Sequence, residues 1–161
     1  MKIRKFRKSD IREVVKIKNE SYKEFNSCEY FDKNAVDKYM EMTSLNKSDR
    51  ALLEVFRIRG GTIFYVAEEE GKIFGYIKGK KDKIGNLFVL GKKHNRGIGA
   101  KLVMKLEEDA KKQGSRIIKI KASLYATPFY QKMGYKKTTG IRNFSGLKIQ
   151  PMVKKLADKL K

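Results

Sequence analysis

The segment HNRGIGAKL, from His94 to Leu102, places two glycines where an apolar run gives way to a helical pattern. A glycine in a helix interior is less favourable than alanine by about 0.5–1 kcal/mol, so two glycines at a helix start need a physical reason. The first backbone N–H groups of a helix have no intrahelical partner and carry partial positive charge, which favours phosphate. Glycines also remove the Cβ atoms that would keep a diphosphate away from these amides. The spacing therefore favours a close-approaching phosphate over a turn alone.

The loop matches neither of two common nucleotide-binding motifs. No third glycine completes a Gly-x-Gly-x-x-Gly fingerprint, and no Gly-Lys-Ser/Thr follows as in a Walker A loop. Basic side chains that would suit a phosphate do lie in or beside the loop, and they are Lys92, Lys93, Arg96 and Lys101.

The hydropathy pattern predicts a mixed α/β sheet of mostly antiparallel strands. Alternating or β-rich runs predict strands at 2–7, 62–67, 72–78, 84–90, 115–122, 135–139 and 147–153. Helical spacing predicts helices from 11 to about 25, at 33–42 and 46–57, from the glycine loop to a C-cap at Gly114, and at 128–133. One strand–loop–helix–strand unit, centred on the glycine loop, lies in the middle of this order.

Length and composition predict one globular domain. The chain has 161 residues, 40% of them hydrophobic, and we expect a single domain over 1–161 with a polar tail at 154–161. No apolar run approaches the roughly 20 residues that cross a bilayer, and the basic N-terminal segment lacks the apolar stretch of a signal peptide. The single cysteine, Cys28, excludes an intrachain disulfide, and no metal-ligand cluster accompanies it. We therefore expect a cytoplasmic protein with no metal and no membrane partner.

The net charge of +21, from 39 basic and 18 acidic side chains, allows two interpretations. Such a field attracts polyanions, among them nucleic acid and phosphate-bearing cofactors. Alternatively, it is a lysine-rich solvated surface that serves no partner. The basic residues are spread along the chain without the run typical of a nucleic-acid-binding arm, so composition alone does not choose between them.

Two motifs resemble those of the GCN5-related N-acetyltransferase (GNAT) superfamily. The family's Gln/Arg-x-x-Gly-x-Gly/Ala motif maps onto residues 94–99, with His94 at its first position. The downstream Asn-x-x-Ala-x-x-x-Tyr-x-Lys-x-Gly-Phe/Tyr motif maps onto Ser123, Ala126, Tyr130, Lys132, Gly134 and Tyr135, with serine replacing asparagine. The resemblance covers residues 62–139. It implies the α/β (α+β) fold of that family, a mixed and mostly antiparallel sheet of about six to seven strands flanked by about four helices.

The resemblance also implies acetyl-CoA as co-substrate. In the family the pyrophosphate lies on the amides of the glycine loop. The preceding strand splays from its neighbour, and its end holds the pantetheine arm. The cofactor-binding residues implied here are Leu87, Phe88, Val89, His94, Asn95, Arg96, Gly97, Ile98, Gly99, Ala100, Ser123, Ala126 and Phe129. His94 is expected to act structurally or by charge, and Leu87, Phe88 and Val89 are equally suited to a core strand.

Tyr130 is the implied general acid, because a phenol near the thioester sulfur can protonate the departing thiolate. The general base is open. Many relatives carry a Glu where this chain has Asn86, and Glu68, Glu69 and Glu70 belong to a hairpin turn. A water relayed by backbone carbonyls could accept the proton, or the amine could arrive neutral.

The sequence therefore predicts an N-acetyltransferase that acts on a primary amine, either a small molecule or a protein N-terminus. Direct attack through a tetrahedral intermediate, with no acyl-enzyme, is expected. A basic nucleic-acid-binding protein and an acyl-CoA sensor on the same fold are alternatives, and a homodimer is left open. The acceptor is unidentified, and the charge suits an acidic or neutral one. The aromatic residues of the expected acceptor region either line a pocket or pack in the core, and the core is favoured: Tyr22, Phe25, Tyr30, Phe31, Tyr39 and Phe144.

Overall fold

The structure is a computed structural model that describes residues 1–25 and 33–158, except the side chains of 25 and 33. Cys28, Tyr30, Phe31 and the side chain of Phe25 lie outside the described part of the chain. Five α-helices are present in that part: α1 Ile11–Phe25, α2 Lys33–Met42, α3 Asp49–Val55, α4 Ile98–Lys112 and α5 Thr127–Lys132. Short 3-10 helices cover Lys8–Asp10 and Gly91–Lys93.

Eight strands form one sheet: β1 Lys2–Lys5, β2 Ile63–Glu69, β3 Lys72–Lys80, β4 Lys83–Val89, β5 Ile117–Ser123, β6 Lys136–Lys137, β7 Arg142–Phe144 and β8 Leu147–Lys155. Their order is β1-β2-β3-β4-β5-β8-β6, and β7 pairs with β8. Every pairing is antiparallel except β4 with β5. The predicted mixed, mostly antiparallel sheet is therefore confirmed.

Helices cover the sheet on both faces. On one face α4 buries Leu102, Leu106 and Ala110, whose spacing places them on one side of the helix. On the other face α1 and α3 pack on β2 and β3, with Val14, Leu52 and other apolar side chains between them. Strands β2 and β3 are consequently buried on both sides, whereas β5 is buried on the α4 side alone.

Several boundaries differ from the sequence prediction. The hairpin from β7 to β8 was not predicted, because β7 is only three exposed residues joined through a turn at Ser145 and Gly146, both with positive φ. Helix α3 begins at Asp49 rather than near 46, since the Ser48 hydroxyl caps it by accepting a bond from the Ala51 N–H at 3.2 Å. Strand β6 covers two of the five residues predicted.

The predicted polar tail at 154–161 begins within the last strand. Strand β8 continues to Lys155, and Leu156 is only 7% exposed. The Leu156 N–H donates to the Arg116 carbonyl at 2.8 Å. The Lys154 ammonium bonds both Glu107 carboxylate oxygens, at 2.9 and 3.0 Å. The Lys154 charge, which suggested a solvated tail, is thus paired with the Glu107 carboxylate inside the fold.

Candidate active site

Strands β4 and β5 separate shortly after they begin to pair. Only two residue pairs join them, Lys83 with Lys119 and Ile84 with Ile120. In the β3–β4 ladder, Lys78 opposes Asn86 and Gly79 opposes Ile84, so Gly85 is an extra residue in β4. Such a bulge bends a strand and ends regular pairing. The rest of β4 therefore diverges from β5, and the sheet opens between them.

Two cavities meet at this opening. The first, the loop-side cavity, has a volume of about 570 Å³. The second, the sheet-face cavity, has a volume of about 830 Å³ and lies over the face of β4, β5 and β8. Both are lined by Leu87, Phe88, Ser123 and Ala126 at the open end of the splay. A molecule in one cavity can therefore touch a molecule in the other.

The structure brings most of the predicted cofactor-binding residues together around the loop-side cavity. They are Leu87, Phe88, Val89, His94, Asn95, Gly97, Ile98, Gly99, Ala100, Ser123, Ala126 and Phe129. Arg96 is exposed and lines neither cavity, so its predicted contact is not supported by its position. Tyr130 lines the sheet-face cavity instead.

The glycine loop ends with a helix start that has no side-chain cap. Gly97 is the N-cap of α4, and its φ of 74° lies in the left-handed region. The first helical bond runs from the Lys101 N–H to the Gly97 carbonyl at 3.0 Å. The N–H groups of Ile98, Gly99 and Ala100 consequently have no helical acceptor, and these three residues line the loop-side cavity. This arrangement has the partial positive charge that attracts an anion.

Each glycine also has a structural reason that the sequence argument did not foresee. The left-handed backbone of Gly97 is one that a residue with a Cβ adopts at a cost. A Cβ on Gly99 would lie 3.3 Å from Cζ of Phe129, so glycine lets that ring pack on the helix start. The argument for a phosphate therefore depends on the uncapped amides more than on the glycines.

His94 joins the loop to the end of β4. Its Nε2 donates to the Val89 carbonyl at 2.7 Å, and its ring centre lies 6.4 Å from that of Tyr125. Ser21, on α1, reaches the same carbonyl through its hydroxyl at 3.4 Å. Helix α1, the loop and β4 are thereby held together beside the cavity.

Two acidic residues of the β2–β3 hairpin form ion pairs with basic side chains. Glu69 accepts a bond from the Lys93 ammonium at 2.6 Å, and this contact lowers the pKa of Glu69. Glu68 is paired with Arg4. Neither these two nor Glu70 lines either cavity. The predicted turn is correct for Glu70, whereas Glu68 and Glu69 belong to strand β2 and pair with β3.

Tyr130 is held rigidly in the wall of the sheet-face cavity. Its ring packs edge-on against Phe129 and Tyr135, with centres 5.1 and 5.4 Å away. The residue is 3% exposed, and burial raises the pKa of its phenol. The phenol therefore carries its proton at neutral pH, as a proton donor must.

Three of the aromatic residues predicted to pack in the core line the sheet-face cavity: Tyr22, Tyr39 and Phe144. Tyr22 and Tyr39 lie together, with ring centres 5.1 Å apart. Burial raises the pKa of Tyr39 to about 12, and a hydrogen bond with the Asn86 side chain opposes this shift. Tyr22 is 5% exposed, so it belongs to the core and also to the cavity wall. Phe144 is 45% exposed, so the core prediction is wrong for that residue.

The predicted cofactor-binding set left out Ser21, Tyr125 and Lys132, which line the loop-side cavity. Lys93 also lines it, and the sequence analysis had named that residue as a basic side chain beside the loop. Lys132 belongs to the downstream motif, so its position could have been included. Ser21 meets β4 only through the fold, 68 residues away in sequence, and no local signal marks it.

Comparison with known proteins shows which family the chain belongs to. Residues 20–156 match a family model described as an acetyltransferase (GNAT) domain. The chain belongs to the GNAT acetyltransferase family. An uncharacterized N-acetyltransferase of Archaeoglobus fulgidus is 29% identical over 120 residues, which are 74% of this chain and 80% of the relative.

Solved GNAT structures share the fold over nearly the whole chain. A GCN5-related N-acetyltransferase of Rhodopseudomonas palustris is 23% identical, with a TM-score of 0.78 and coverage of 96% of this chain and 95% of that one. The PaiA N-acetyltransferase of Thermoplasma acidophilum, crystallised with coenzyme A, is 21% identical, with a TM-score of 0.74 and coverage of 96% and 98%. At these identities the structural matches establish the fold.

The described residues contain neither a metal-binding cluster nor a helix that could span a membrane. Among residues 1–25 and 33–158, no group of three or more His, Cys, Asp or Glu side chains is arranged to hold a metal ion. Within the same residues no helix of this GNAT protein combines the length and apolar character that a bilayer span requires.

Proposed function

We propose that this GNAT protein transfers the acetyl group of acetyl-CoA to a primary amine of a small molecule or a protein N-terminus. The observation that carries the proposal is the splay of β4 from β5 beside an uncapped helix start. Coenzyme A is bound in the Thermoplasma relative, and acetyl-CoA in the structure of yncA from Salmonella typhimurium. The loop-side cavity suits such a ligand, because bare amides and the Lys132 side chain border it.

Different segments around the loop-side cavity would hold different parts of acetyl-CoA. The amides of Ile98, Gly99 and Ala100 would hold the pyrophosphate. Beyond Gly85, the edge of β4 that faces β5 keeps its backbone N–H and carbonyl groups out of the sheet ladder. The Val89 carbonyl among them already accepts from His94 and Ser21. The other groups need partners, and the amide-bearing pantetheine arm would supply them along Leu87, Phe88 and Val89.

Acetyl-CoA supplies the activated acetyl group, and direct attack of the amine on its thioester, through a tetrahedral intermediate, transfers that group without an acyl-enzyme. The amine reaches the splay through the sheet-face cavity, where the two cavities share a wall. The buried Tyr130 phenol lines the sheet-face cavity and donates its proton to the departing sulfur. The proton that the amine nitrogen loses as the amide forms returns to the phenolate through water, so the products are the amide and free coenzyme A.

A side-chain base is not required by this scheme. Of the described residues, Asp82 is the acidic one that lines a cavity, and it precedes Lys83 at the closed end of the splay. The Asn86 amide has no proton-accepting power, and Tyr39 shares a hydrogen bond with it. An α-amino group with a pKa of about 8 is partly neutral at physiological pH, so it needs no strong base.

Calorimetric titration with acetyl-CoA tests the cofactor site. Wild type should bind with micromolar affinity, and Gly99→Trp should lose binding because the indole would fill the space beside Phe129 and the helix start. Gly60→Trp is the matched control, since a Cβ there meets no atom within 4 Å. Circular dichroism establishes that both variants fold. Absence of binding to wild type at millimolar acetyl-CoA would refute the proposal.

Acyl-CoA sensing without turnover is a second candidate, favoured by the lack of an acidic side chain at the open end of the splay within the described residues. It predicts binding in the calorimeter but no coenzyme A release with any amine in an acceptor screen. A gel shift with nucleic acid at low and moderate salt tests the remaining alternative.

A further inference from the structure

Four lysines form a row across the sheet, on the face opposite α4. The strand register pairs Lys80 with Lys83, Lys83 with Lys119, Lys119 with Val153, and Val153 with Lys136. Residues opposite one another in register share a face of the sheet. We name Lys80, Lys83, Lys119 and Lys136 the lysine row; all four are exposed. The row thus joins β3, β4, β5, β8 and β6.

The row is unfavourable by itself, because like charges directly opposite in a sheet repel each other. No carboxylate among the described residues forms an ion pair with any of its four members. Within the described residues only five lysines form an ion pair with a carboxylate, Lys93 and Lys154 among them, so an unpaired surface lysine is common in this chain of net charge +21. The row differs from the other lysines in its alignment, because its four unpaired members follow one line across the sheet. This alignment of positive charge indicates an anionic ligand.

The row lies at a fixed distance from the proposed reaction centre. Lys83 and Lys119 line the sheet-face cavity at the closed end of the splay, and Ser123 lines its open end. Ser123 lies four positions after Lys119 along β5, a distance of about 13 Å at roughly 3.3 Å per residue. Between them, the Lys121 ammonium lies 3.8 Å from the Phe144 ring centre. A ligand that reaches both ends must be extended.

We propose that the acceptor is an acidic peptide whose free amine reaches the splay while its carboxylates bind the lysine row. This inference rests on the proposed transferase function and names its acceptor class. The row spans four inter-strand gaps, about 19 Å at roughly 4.8 Å each, so it suits several carboxylates on one chain better than one small anion. The distance to the splay corresponds to about four residues of extended peptide.

A peptide fits this surface better than a nucleic acid does. Binding of single-stranded nucleic acid relies on aromatic faces for base stacking as well as on positive charge. Among the described aromatic residues that line the sheet-face cavity, Phe144 is the exposed one, and the Lys121 ammonium already lies over its ring. We therefore expect a peptide ligand, and the experiment below also tests binding of nucleic acid.

Fluorescence anisotropy with two peptides tests the inference without depending on catalysis. Both peptides have a free amino terminus and a fluorophore at the C-terminus. One carries three consecutive glutamates beginning about four residues from the amine, and the other carries glutamines there. Lys83→Gln/Lys119→Gln removes the centre of the row. Lys72→Gln/Lys111→Gln removes the same charge from two exposed positions outside it.

We expect the glutamate peptide to bind wild type and the control alike, and the row variant about tenfold more weakly, as two exposed charge pairs predict. The glutamine peptide should bind all three weakly. Equal binding of the two peptides, or an equal loss in both double variants, would overturn the inference. So would an oligothymidine that displaces the peptide and itself binds more tightly in a row-dependent manner.

Parallel calorimetry with acetyl-CoA separates this inference from the proposed function. Row-dependent peptide binding without acetyl-CoA binding would refute the transferase and leave an acidic-peptide surface. Acetyl-CoA binding without row-dependent peptide binding would refute the acceptor class alone. With both present, mass spectrometry should find one acetyl group added to the glutamate peptide, at a higher rate than to the glutamine peptide.

Discussion

Lys18 is a buried cation whose removal gives a quantitative test of the structure. Its side chain, on α1, is 2% exposed and bonds the Thr43 hydroxyl and, at 3.3 Å, Oδ1 of Asn19. Its ammonium lies 3.9 Å from the ring centre of Tyr39 in the cavity wall. No carboxylate among the described residues pairs with it. We therefore expect Lys18→Met to remove the free-energy penalty of a buried charge.

The size of this penalty follows from the pKa of Lys18. Burial lowers the pKa from 10.5 to about 7 in the folded state. Between these two values the unfolded chain binds more protons than the folded one, so stability rises with pH. At about 1.4 kcal/mol per pH unit, Lys18 raises the free energy of unfolding by about 2 kcal/mol from pH 7 to pH 9. Below pH 7 both states are protonated, and the penalty has its full size, on the order of 4–5 kcal/mol.

Urea unfolding of wild type and Lys18→Met at pH 6, 7, 8 and 9 measures this effect. The wild-type midpoint should rise relative to that of the variant by about 1 M between pH 7 and pH 9, for an m-value of about 2 kcal/mol per M. Lys78, whose pKa burial lowers to about 8, is present in both proteins and cancels in the comparison. Lys23→Met, exposed on the same helix, controls for the lost charge. Parallel pH profiles for wild type and Lys18→Met would refute the reasoning.

Three further predictions concern single residues. Tyr130→Phe should lower kcat by about 10²–10⁴-fold and leave the acetyl-CoA dissociation constant unchanged; steady-state rates and calorimetry decide this, and an unchanged kcat removes the proton-donor role. Glu107→Leu should lower the free energy of unfolding by about 3–5 kcal/mol, because it leaves the Lys154 ammonium without its carboxylate; a loss under about 1 kcal/mol in urea unfolding would contradict this. Lys119→Glu should raise stability by about 0.2–1 kcal/mol by replacing repulsion from Lys83 with attraction; a lower melting temperature would count against the row's repulsion.

The sequence predicted best where the structure depends on neighbours along the chain. Helix α4 shows its apolar stripe in Ile98, Leu102 and Leu106, and the glycine loop directly precedes it. The uncapped amides follow from that order alone, because any helix start leaves such groups. This order explains why the residues of the loop itself line one cavity, whereas the predicted residues of β4, β5 and α5 were implied by the family resemblance.

The splay was implied by the family resemblance and is confirmed, but the residues by themselves do not predict where it begins. It depends on where β4 pairs with β3 and β5, and the extra residue at Gly85 is defined only by that register. The lysine row has the same origin, since Lys83 and Lys119 meet only when β4 and β5 are aligned. The end of β8 was misjudged because the partner of Lys154, Glu107, lies 47 residues away.

The sequence of α1 contains a pattern from which the burial of Lys18 could have been predicted. It occupies the position that continues the apolar stripe of Ile11, Val14 and Val15 on α1. A lysine on such a stripe is either at the helix edge or buried with polar partners. The structure shows the second case, with Thr43 as a partner.

Backbone-amide NMR during a titration with acetyl-CoA tests most directly the claim that the splay and the helix start form the cofactor site. The account predicts the largest shifts at the amides of Gly97, Ile98, Gly99 and Ala100, with further shifts along Leu87–Val89 and little change at Gly60 and Gly61. Shifts that leave residues 97–100 unchanged, or that concentrate at the β7–β8 hairpin, would contradict it.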